Sequence, residues 1–340
     1  MKNIIVSGGM GFIGSNFIRK LLDSKQDFRV INVDKLTYAG NPENLRDIVR
    51  NYNDRYVFYK VDICDFRIIL DIIQKEKVDY IVNFAAESHV DRSIDNPNIF
   101  VKTNVLGTQS LLNAAKKLSI RKFVQISTDE VYGSLNFNEE AFTEETRLSP
   151  NSPYSASKAS ADLFVRSYYK TFGLPVNITR CSNNYGPYQF PEKLVPLMLY
   201  NAQKNKELPI YGEGINVRDW IHVDDHCSAI LKVLIDGTPG EIYNIGADSE
   251  KSNIEIVKEI LKLLNKPENL IAFVKDRPGH DLRYAINHDK ITKELGWKPT
   301  ISFKEGLNLT VNWYLENNEW LENVINKDYL SYYKKHYANR

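Results

Sequence analysis

A glycine-rich turn between a strand and a helix constrains the fold of this chain most. An apolar run at residues 4–6 predicts a strand, and the pattern over residues 12–22 predicts a helix. Between them, Gly8, Gly11 and Gly14 form a GxxGxxG spacing. Residues without a Cβ let the backbone turn tightly and approach a pyrophosphate, whose charge the helix N-terminus stabilises. Glycine clusters also close ordinary turns, so other residues must decide between the two interpretations.

Apolar strands alternate with helices through the first half of the chain. Strands are predicted at residues 4–6, 28–33, 56–61, 78–84, 122–126 and 175–179, and helices at 12–22, 66–74, 99–118 and 152–172. Continuous apolar strands separated by helices indicate a parallel sheet covered on both faces. We therefore expect an α/β fold built on a doubly wound parallel sheet of the Rossmann type.

Prolines interrupt shorter elements after residue 186, which predicts a smaller, mixed α/β lobe at the C-terminal end. We expect residues 1–186 to form a dinucleotide-binding domain and residues 187–340 mainly a nucleotide-sugar-binding lobe. A segment at about 215–247, with a strand at 242–245, is expected to return to the first domain. Ligands of such folds bind outside the carboxyl ends of the strands, so the small lobe should close over that crevice.

Charge and cysteine content argue against several classes of function. The 340 residues carry a formal net charge of +1, so no strong electrostatic attraction to nucleic acid or to a membrane surface is expected. Cys64, Cys181 and Cys227 are odd in number and widely spaced, which argues against disulfides and zinc sites. We expect no bound metal, no signal peptide before the first strand and a cytoplasmic location.

Acidic residues after the second and third strands favour NAD as the ligand of the glycine turn. Asp34 ends the second strand 20 residues after Gly14, where a carboxylate binds the adenosine ribose hydroxyls. The same charge would repel the 2′-phosphate of NADP. Asp62 and Ile63, which end the third strand, are expected to border the adenine.

Tyr154 and Lys158 are candidates for redox chemistry. They lie four residues apart on the predicted helix 152–172, a spacing that puts both side chains on one face. An ammonium group and a positive nicotinamide would favour the phenolate and lower the tyrosine pKa. Tyr154 could then take a proton from a sugar hydroxyl while a hydride leaves the same carbon. The alternative is an amphipathic helix with a tyrosine and a lysine on its surface.

Thr128, Asp129 and Glu130 follow the fifth strand at its carboxyl end, the ligand-facing edge of the sheet. Alcohol oxidation needs a hydroxyl donor such as Thr128 but not two carboxyl groups. Elimination of water needs both: once C4 of a hexose is a ketone, a base can remove the C5 proton while an acid protonates the departing C6 hydroxyl. A solvated acidic loop or a helix cap is the alternative.

These residues resemble the extended short-chain dehydrogenase/reductase superfamily, and closely resemble its dTDP-glucose 4,6-dehydratases, over nearly the full chain. The glycine turn and the Tyr-x-x-x-Lys spacing are shared by the superfamily. The more specific segments are residues 85–91 (AAESHVD), 127–133 (STDEVYG), 180–187 (RCSNNYGP), 191–194 (PEKL) and 276–281 (DRPGHD). Ser7 stands where the family usually has threonine, a conservative difference.

The resemblance implies a reaction, a cofactor and an assembly. The reaction is dehydration of dTDP-glucose to dTDP-4-dehydro-6-deoxyglucose with tightly bound NAD, within deoxysugar synthesis. The assembly is a homodimer paired through helices of the large domain. Tyr154 would be the redox base, Lys158 the ribose and nicotinamide anchor, Thr128 the ligand of the 4-hydroxyl, Asp129 the acid at C6 and Glu130 the base at C5.

The resemblance also implies two sets of binding residues. NAD would be contacted by Gly8, Gly11, Phe12, Ile13, Gly14, Asp34, Lys35, Leu36, Thr37, Asp62, Ile63, Ala85, Ala86, Glu87, Ser88, His89, Thr103, Tyr154, Lys158 and Asn184. The nucleotide sugar would be contacted by His89, Thr128, Asn183, Lys193, Leu194, Pro209, Ile210, Tyr211, Arg218, Asn253, Arg277 and His280. Arginine suits a diphosphate because its guanidinium fork matches the oxygens, although surface solubility is its commoner role.

Two other functions share part of this pattern. UDP-hexose 4-epimerases and UDP-glucuronate decarboxylases resemble the chain in the glycine turn and the Tyr–Lys pair, but neither needs the adjacent carboxyl groups of Asp129 and Glu130. A dinucleotide sensor without catalysis would keep the glycine turn and has no reason to keep the other four residues together. The adjacent carboxyl pair therefore favours dehydration.

Overall fold

The computed structural model describes residues 1–276 and 279–325. Its strands are β1 (Lys2–Ser7), β2 (Phe28–Asp34), β3 (Tyr56–Lys60), β4 (Tyr80–Asn83), β5 (Lys122–Thr128), β6 (Val176–Cys181), β7 (Asn183–Tyr185), β8 (Leu208–Tyr211), β9 (Val217–His222), β10 (Ile242–Ile245), β11 (Glu250–Ser252) and β12 (Ile271–Val274).

The α-helices are α1 (Phe12–Asp23), α2 (Arg46–Asn51), α3 (Phe66–Lys75), α4 (Val90–Asp95), α5 (Pro97–Phe100), α6 (Thr108–Lys117), α7 (Pro153–Phe172), α8 (Leu194–Gln203), α9 (Val223–Asp236), α10 (Asn253–Leu263), α11 (Asp289–Leu295), α12 (Phe303–Glu316) and α13 (Asn318–Val324). Short 3₁₀ turns cover Pro42–Leu45, Asp129–Tyr132 and Glu268–Leu270, and a π-helical turn covers Val101–Gly107.

A parallel sheet forms the centre of the molecule. Within the described residues it has seven strands in the order β10-β6-β5-β4-β1-β2-β3, and every neighbouring pair is parallel. The chain runs outward in both directions from β1, so a crevice opens at the carboxyl ends of β1 and β4. This arrangement confirms the predicted α/β fold with a doubly wound sheet.

Apolar layers cover both faces of this sheet. One layer includes Phe17 of α1 and Ile230 of α9. The other includes Ile69 of α3, Leu111 of α6 and Val165 of α7. Burying the strands on both sides accounts for their nearly continuous apolar sequences.

A smaller lobe with mixed sheet and helix follows β6. Strands β11, β9 and β7 form a three-stranded sheet, and β12 pairs with β8. Its core includes Leu199 of α8, Ile256 of α10 and Val311 of α12. Strand β10, further along the chain, pairs with β6 at the edge of the central sheet.

Residues 99–117 are helical, as predicted, but a π-helical turn at Val101–Gly107 joins α5 to α6. The turn directs Asn104 inward, where its amide accepts from the Glu87 backbone N–H at 2.8 Å and donates to Ser157 Oγ at 2.8 Å. Such turns are frequent at functional sites. Here the turn ties the chain after β4 to helix α7.

No helix within residues 1–276 and 279–325 combines the length and the apolar character needed to cross a membrane.

Candidate active site

A cavity lies at the carboxyl ends of the central strands. In-register pairing of Ser7 with Val33 and Asn83, and of Thr128 with Cys181, brings these strand ends level. The cavity is lined by residues that end or follow β1, β2, β3, β4, β5 and β6, and also by helix α7, strand β7 and the loop before α8. This is the position at which a doubly wound sheet binds its ligands.

The glycine turn has the shape that a pyrophosphate needs. Gly8 has φ +73°, and a Cβ on it would lie 2.6 Å from the backbone nitrogen of Ala85. A Cβ on Gly14 would collide with the carbonyl oxygen of Gly8. A Cβ on Gly11 would meet only that oxygen, at 3.3 Å, and would otherwise project into open space beside the cavity. Packing therefore requires Gly8 and Gly14, whereas Gly11 leaves room for a ligand.

The Asp34 carboxylate organises the turn from the end of β2. Its Oδ2 accepts from the Met10 N–H at 2.9 Å and its Oδ1 from the Leu36 N–H at 2.7 Å. Burial raises the pKa of Asp34, and these two backbone hydrogen bonds oppose that shift. Beside it, Lys35 forms an ion pair of 2.8 Å with Asp62. The second and third strands thus present two acidic groups along the same edge of the cavity.

Four of the five candidate catalytic side chains are buried around one end of the cavity. Thr128, Asp129, Tyr154 and Lys158 are between 2% and 8% exposed, Glu130 is partly exposed, and all five line the same space. Strand β5 extends to Thr128, so the 3₁₀ turn after it places Asp129 and Glu130 opposite the first turns of α7. Pro153 and a capping box between Ser152 and Ser155 begin that helix.

Burial dominates the environment of Tyr154. The sequence predicts a lowered pKa of the phenol through the Lys158 ammonium together with a cationic nicotinamide. In the protein alone, burial raises the pKa of Tyr154 well above its ordinary value, and the Glu130 carboxylate adds to the shift, while a hydrogen bond with Thr128 opposes it. The Lys158 Nζ donates to the Ile126 carbonyl oxygen at 2.5 Å. In the protein alone, Tyr154 is therefore a neutral phenol.

Asp129 has the surroundings of a carboxyl group that keeps its proton. Burial raises the pKa of Asp129 well above its ordinary value, and the charges of Glu130 and Asp219 raise it further. Its Oδ1 is 3.3 Å from Thr128 Oγ1, and its Oδ2 is buried without a hydrogen-bond partner in the described part of the chain. Glu130, partly exposed, is the member of the pair placed to carry the charge.

Comparison with known proteins identifies the family. The GDP-mannose 4,6 dehydratase family model matches residues 5–310. A dTDP-glucose 4,6-dehydratase of Haemophilus influenzae is 52% identical in an alignment that covers 94% of this chain and 99% of the relative. The chain belongs to the dTDP-glucose 4,6-dehydratase family.

Solved structures of this dehydratase family share the fold. A dTDP-glucose 4,6-dehydratase of Bacillus anthracis, crystallised with NAD, superposes with a TM-score of 0.89 at 51% identity, covering 95% of this chain and 100% of that one. A dTDP-glucose 4,6-dehydratase of Streptomyces venezuelae, solved with NAD and TYD bound, gives 0.91 at 48% identity, covering 95% and 99%.

Most of the residues that the sequence predicted for the dinucleotide line the cavity of this dehydratase. These are Gly8, Gly11, Phe12, Ile13, Gly14, Asp34, Lys35, Thr37, Asp62, Ile63, Ala85, Ala86, Glu87, Ser88, Thr103, Tyr154, Lys158 and Asn184. The cavity lining does not include Leu36, whose backbone holds Asp34, or His89, which is buried just before α4.

The residues predicted for the nucleotide sugar are less closely grouped. Thr128, Asn183 and Lys193 line the cavity. Leu194 begins α8, Asn253 begins α10, and Pro209, Ile210 and Tyr211 lie on β8, all outside its lining. Arg218 of β9 stacks 4.2 Å above the Tyr284 ring, and His280 lies 2.6 Å from Asp276 Oδ1. Arg277 lies outside the described residues.

Sequence reasoning about the dehydratase site missed several lining residues. Cys181 ends β6 and Ser182 follows it, and Gln189, Phe190 and Glu192 lie in the loop before α8. The first two follow from the same rule that found Thr128, since they stand at the carboxyl end of the neighbouring strand. The loop residues follow no predicted strand, although Glu192 lies in the PEKL segment of the resemblance, so their place at the cavity depends on how the small lobe packs.

Proposed function

We propose that this chain dehydrates dTDP-glucose to dTDP-4-dehydro-6-deoxyglucose, with NAD as a cofactor that is regenerated in each cycle. The observation that carries the proposal is one cavity, in a member of the dTDP-glucose 4,6-dehydratase family, that gathers Tyr154, Lys158, Asp129 and Glu130. The first two side chains suffice for oxidising an alcohol. The adjacent carboxyl groups supply an acid and a base for removing water.

The glycine turn and the strand ends suit the dinucleotide. Gly11 leaves open space at the N-terminus of α1 for the pyrophosphate, and Asp34 stands where a ribose is bound. We assign Lys158 to the nicotinamide ribose. The chemistry that NAD supplies when bound is reversible transfer of a hydride, away from C4 of the hexose and back to C6.

Each proton transfer is assigned to a side chain. Tyr154 takes the proton of the 4-hydroxyl, and Thr128 orients that hydroxyl. Tyr154 is neutral in the protein alone. A bound cationic nicotinamide beside the Lys158 ammonium would lower the pKa of Tyr154 and favour the phenolate. Glu130 removes the C5 proton, and the protonated Asp129 gives its proton to the departing C6 hydroxyl. Glu130 then returns a proton to C5 as the hydride returns to C6. Tyr154 is left protonated and Asp129 ionised, so Tyr154 releases a proton to water and Asp129 takes one up before the next cycle.

The nucleotide of the substrate is assigned to the small lobe. Asn183 and Lys193 line the cavity where it meets this lobe, and Arg218 brings a buried guanidinium to strand β9. An arginine fork matches diphosphate oxygens, so we assign Arg218 to that group. The charge of Arg218 also lowers the pKa of Asp129.

Assembly and location follow the family resemblance. Large apolar side chains are exposed on the helices beside the central sheet, among them Leu106, Leu163 and Phe164. Contiguous exposed apolar side chains mark association surfaces, which supports a homodimer paired through these helices. Cys64, Cys181 and Cys227 are free thiols, as suits the reducing cytoplasm.

The test is a mass measurement on purified protein. Incubation with dTDP-glucose should yield a sugar nucleotide lighter by one water, with no net consumption of added NAD. Tyr154→Phe should leave the substrate intact, because the first oxidation fails. UDP-glucose, run in parallel, measures nucleobase preference, since one methyl group is worth only about 1 kcal/mol in a pocket. Unchanged dTDP-glucose with the parent protein would contradict the proposal.

A further inference from the structure

A buried ion pair lies next to the catalytic side chains and has no part in the chemistry described above. Arg180 Nε is 2.9 Å from Asp162 Oδ2, and the two side chains are 4% and 1% exposed. Replacing a buried ion pair by well-packed apolar residues is often neutral or even stabilising. Stability alone is therefore a poor reason for this pair.

The position of the pair connects it to both halves of the site. Asp162 follows Lys158 by four residues on α7, so the two side chains share one face of the helix. Arg180 precedes Cys181 on β6 and pairs in register with Ser127, one residue before Thr128. The ion pair thus joins the helix that carries the redox residues to the strands that carry the acid pair.

The two side chains of the ion pair differ in their other hydrogen bonds. Arg180 also donates to the Tyr132 hydroxyl at 2.9 Å and lies 4.8 Å from the centre of its ring. Asp162 Oδ1, in contrast, is buried and has no hydrogen-bond partner within residues 1–276 and 279–325. In a medium of low dielectric constant, the charge on that oxygen acts strongly on its neighbours.

Lys158 is the neighbour on which this charge acts. Burial lowers the pKa of Lys158, and the Asp162 carboxylate is the first influence that raises it again. The titratable groups near the ammonium are Tyr154 and Asp162 on α7, Arg180 and Cys181 on β6, and Asp129, Glu130 and Tyr132 on the turn after β5. Of these, Asp162 and then Cys181 raise the pKa of Lys158. Among the carboxyl groups, Asp162 stands on the helix of Lys158 itself, one turn away.

We propose that Asp162 keeps the Lys158 ammonium charged, and that Arg180 limits this effect by neutralising part of the Asp162 charge. Both are positioning residues, because they act through Lys158 and line no part of the cavity. The inference rests on the proposed function, in which a charged Lys158 helps Tyr154 to accept the proton of the 4-hydroxyl.

The experiment measures oxidation of C4 alone, as the rise of reduced-nicotinamide absorbance in a single turnover of dTDP-glucose across a range of pH. This step precedes elimination, so it does not depend on proton donation by Asp129. The alkaline limb of the rate–pH profile is the range in which the rate falls as Lys158 loses its proton. In Asp162→Asn, Lys158 should lose its proton at lower pH, and this limb should move down by about one pH unit. In Arg180→Gln the unneutralised Asp162 should move the same limb up.

The double variant Asp162→Asn/Arg180→Gln decides between charge and packing. It leaves no unpaired charge but removes the Asp162 charge that supports the Lys158 ammonium. The proposal therefore predicts an alkaline limb between those of the two single variants and below that of the parent, with a rate close to that of the parent at pH values below that limb. A packing role predicts losses at every pH that are largest in the double variant. If either single variant does not fold, the double variant still tests the proposal. A loss of rate in the double variant that is the same at every pH would overturn it.

A matched control lies at a second ion pair. Arg29 and Glu76 are 2.6 Å apart and partly exposed on the other part of the sheet, so Glu76→Gln should leave the alkaline limb unchanged. Limbs that do not move in folded, active variants, or that move in the same direction, would overturn the inference and leave the proposed function intact. A parent protein that never oxidises dTDP-glucose would instead contradict the proposed function.

Discussion

Asp129 and Glu130 are neighbours in sequence, yet the fold gives them different surroundings. Asp129 is 2% exposed, and burial with nearby negative charge raises its pKa. Glu130 is partly exposed, so water can solvate its charge. Two carboxyl groups in environments that push their proton affinities apart can serve as an acid and a base at one pH.

Asp129→Asn should separate oxidation from elimination. The amide cannot protonate the C6 hydroxyl, while Tyr154 and Lys158 still oxidise C4. We expect a 4-keto hexose that retains its C6 oxygen to accumulate, and final product to form about 10²–10⁴-fold more slowly. Mass analysis of quenched reactions checks this, with the exposed Asp54→Asn as control. Product formation at the parent rate would remove Asp129 from the role of acid.

The same substitution should stabilise the folded protein in a pH-dependent way. The pKa of Asp129 in the folded state lies above its ordinary value of 3.8. The favourable contribution of its protonated form is therefore complete below about that pH and is lost as pH rises towards the folded-state pKa. Asp129→Asn should be about 1–2 kcal/mol more stable than the parent at neutral pH.

Urea unfolding at several pH values measures this difference. The free energies of unfolding of Asp129→Asn and the parent should converge as the pH falls below 4, where both side chains are uncharged. Asp54→Asn should show no such trend. A stability difference independent of pH would mean that the charge of Asp129 is not what destabilises the parent.

At the scale of elements, the sequence predicted the parts that depend on local pattern. The glycine turn, the alternation of strand and helix, and the strand-end positions of Asp34 and Thr128 follow from spacing and periodicity. The π-helical turn at Val101–Gly107 could not be predicted, because its inward Asn104 binds a backbone 17 residues earlier. The loop around Glu192 was missed because its partner Arg92 lies 100 residues away.

That loop holds the two lobes together at the wall of the cavity. Arg92 of α4 donates to Glu192 at 3.1 Å and lies 3.8 Å from the centre of the Tyr38 ring. Tyr38 packs edge-on against Phe190, with ring centroids 5.5 Å apart. Phe190 and Glu192 line the cavity together with Thr37. The contact therefore joins the segment after β2, helix α4 and the loop of the small lobe at the cavity wall.

Arg92→Gln should weaken the binding of NAD. It removes a charged hydrogen bond worth about 1.5–3 kcal/mol and leaves Glu192 buried without its partner. We expect NAD to dissociate at least about tenfold faster, since 1.4 kcal/mol corresponds to a factor of ten. Exchange of bound NAD against a labelled excess gives the rate. Arg121→Gln, at an exposed pair with Asp79, is the control, and equal rates in both variants would contradict the prediction.

At the scale of the whole molecule, helix α7 has one buried face and one exposed face. Its inner face carries Tyr154, Lys158 and Asp162, all buried. Its outer face carries Leu163 and Phe164, which are 56% and 40% exposed. In the proposed dimer, we expect a partner seated on this outer face to restrain the helix that carries Tyr154 and Lys158.

Leu163→Asp should therefore convert the proposed dimer into monomers of the chain mass, 39.2 kDa. A charge at the centre of an apolar interface is left unpaired on association, which costs several kcal/mol. Size-exclusion chromatography with light scattering measures the mass. Leu309→Asp, which changes a 48% exposed leucine on α12, should leave the dimer intact. If both variants kept the mass of the parent, the outer face of α7 would not be the interface. If the Leu163→Asp monomer still oxidised C4 at the parent rate, a partner would not be needed to hold Tyr154 and Lys158 in place.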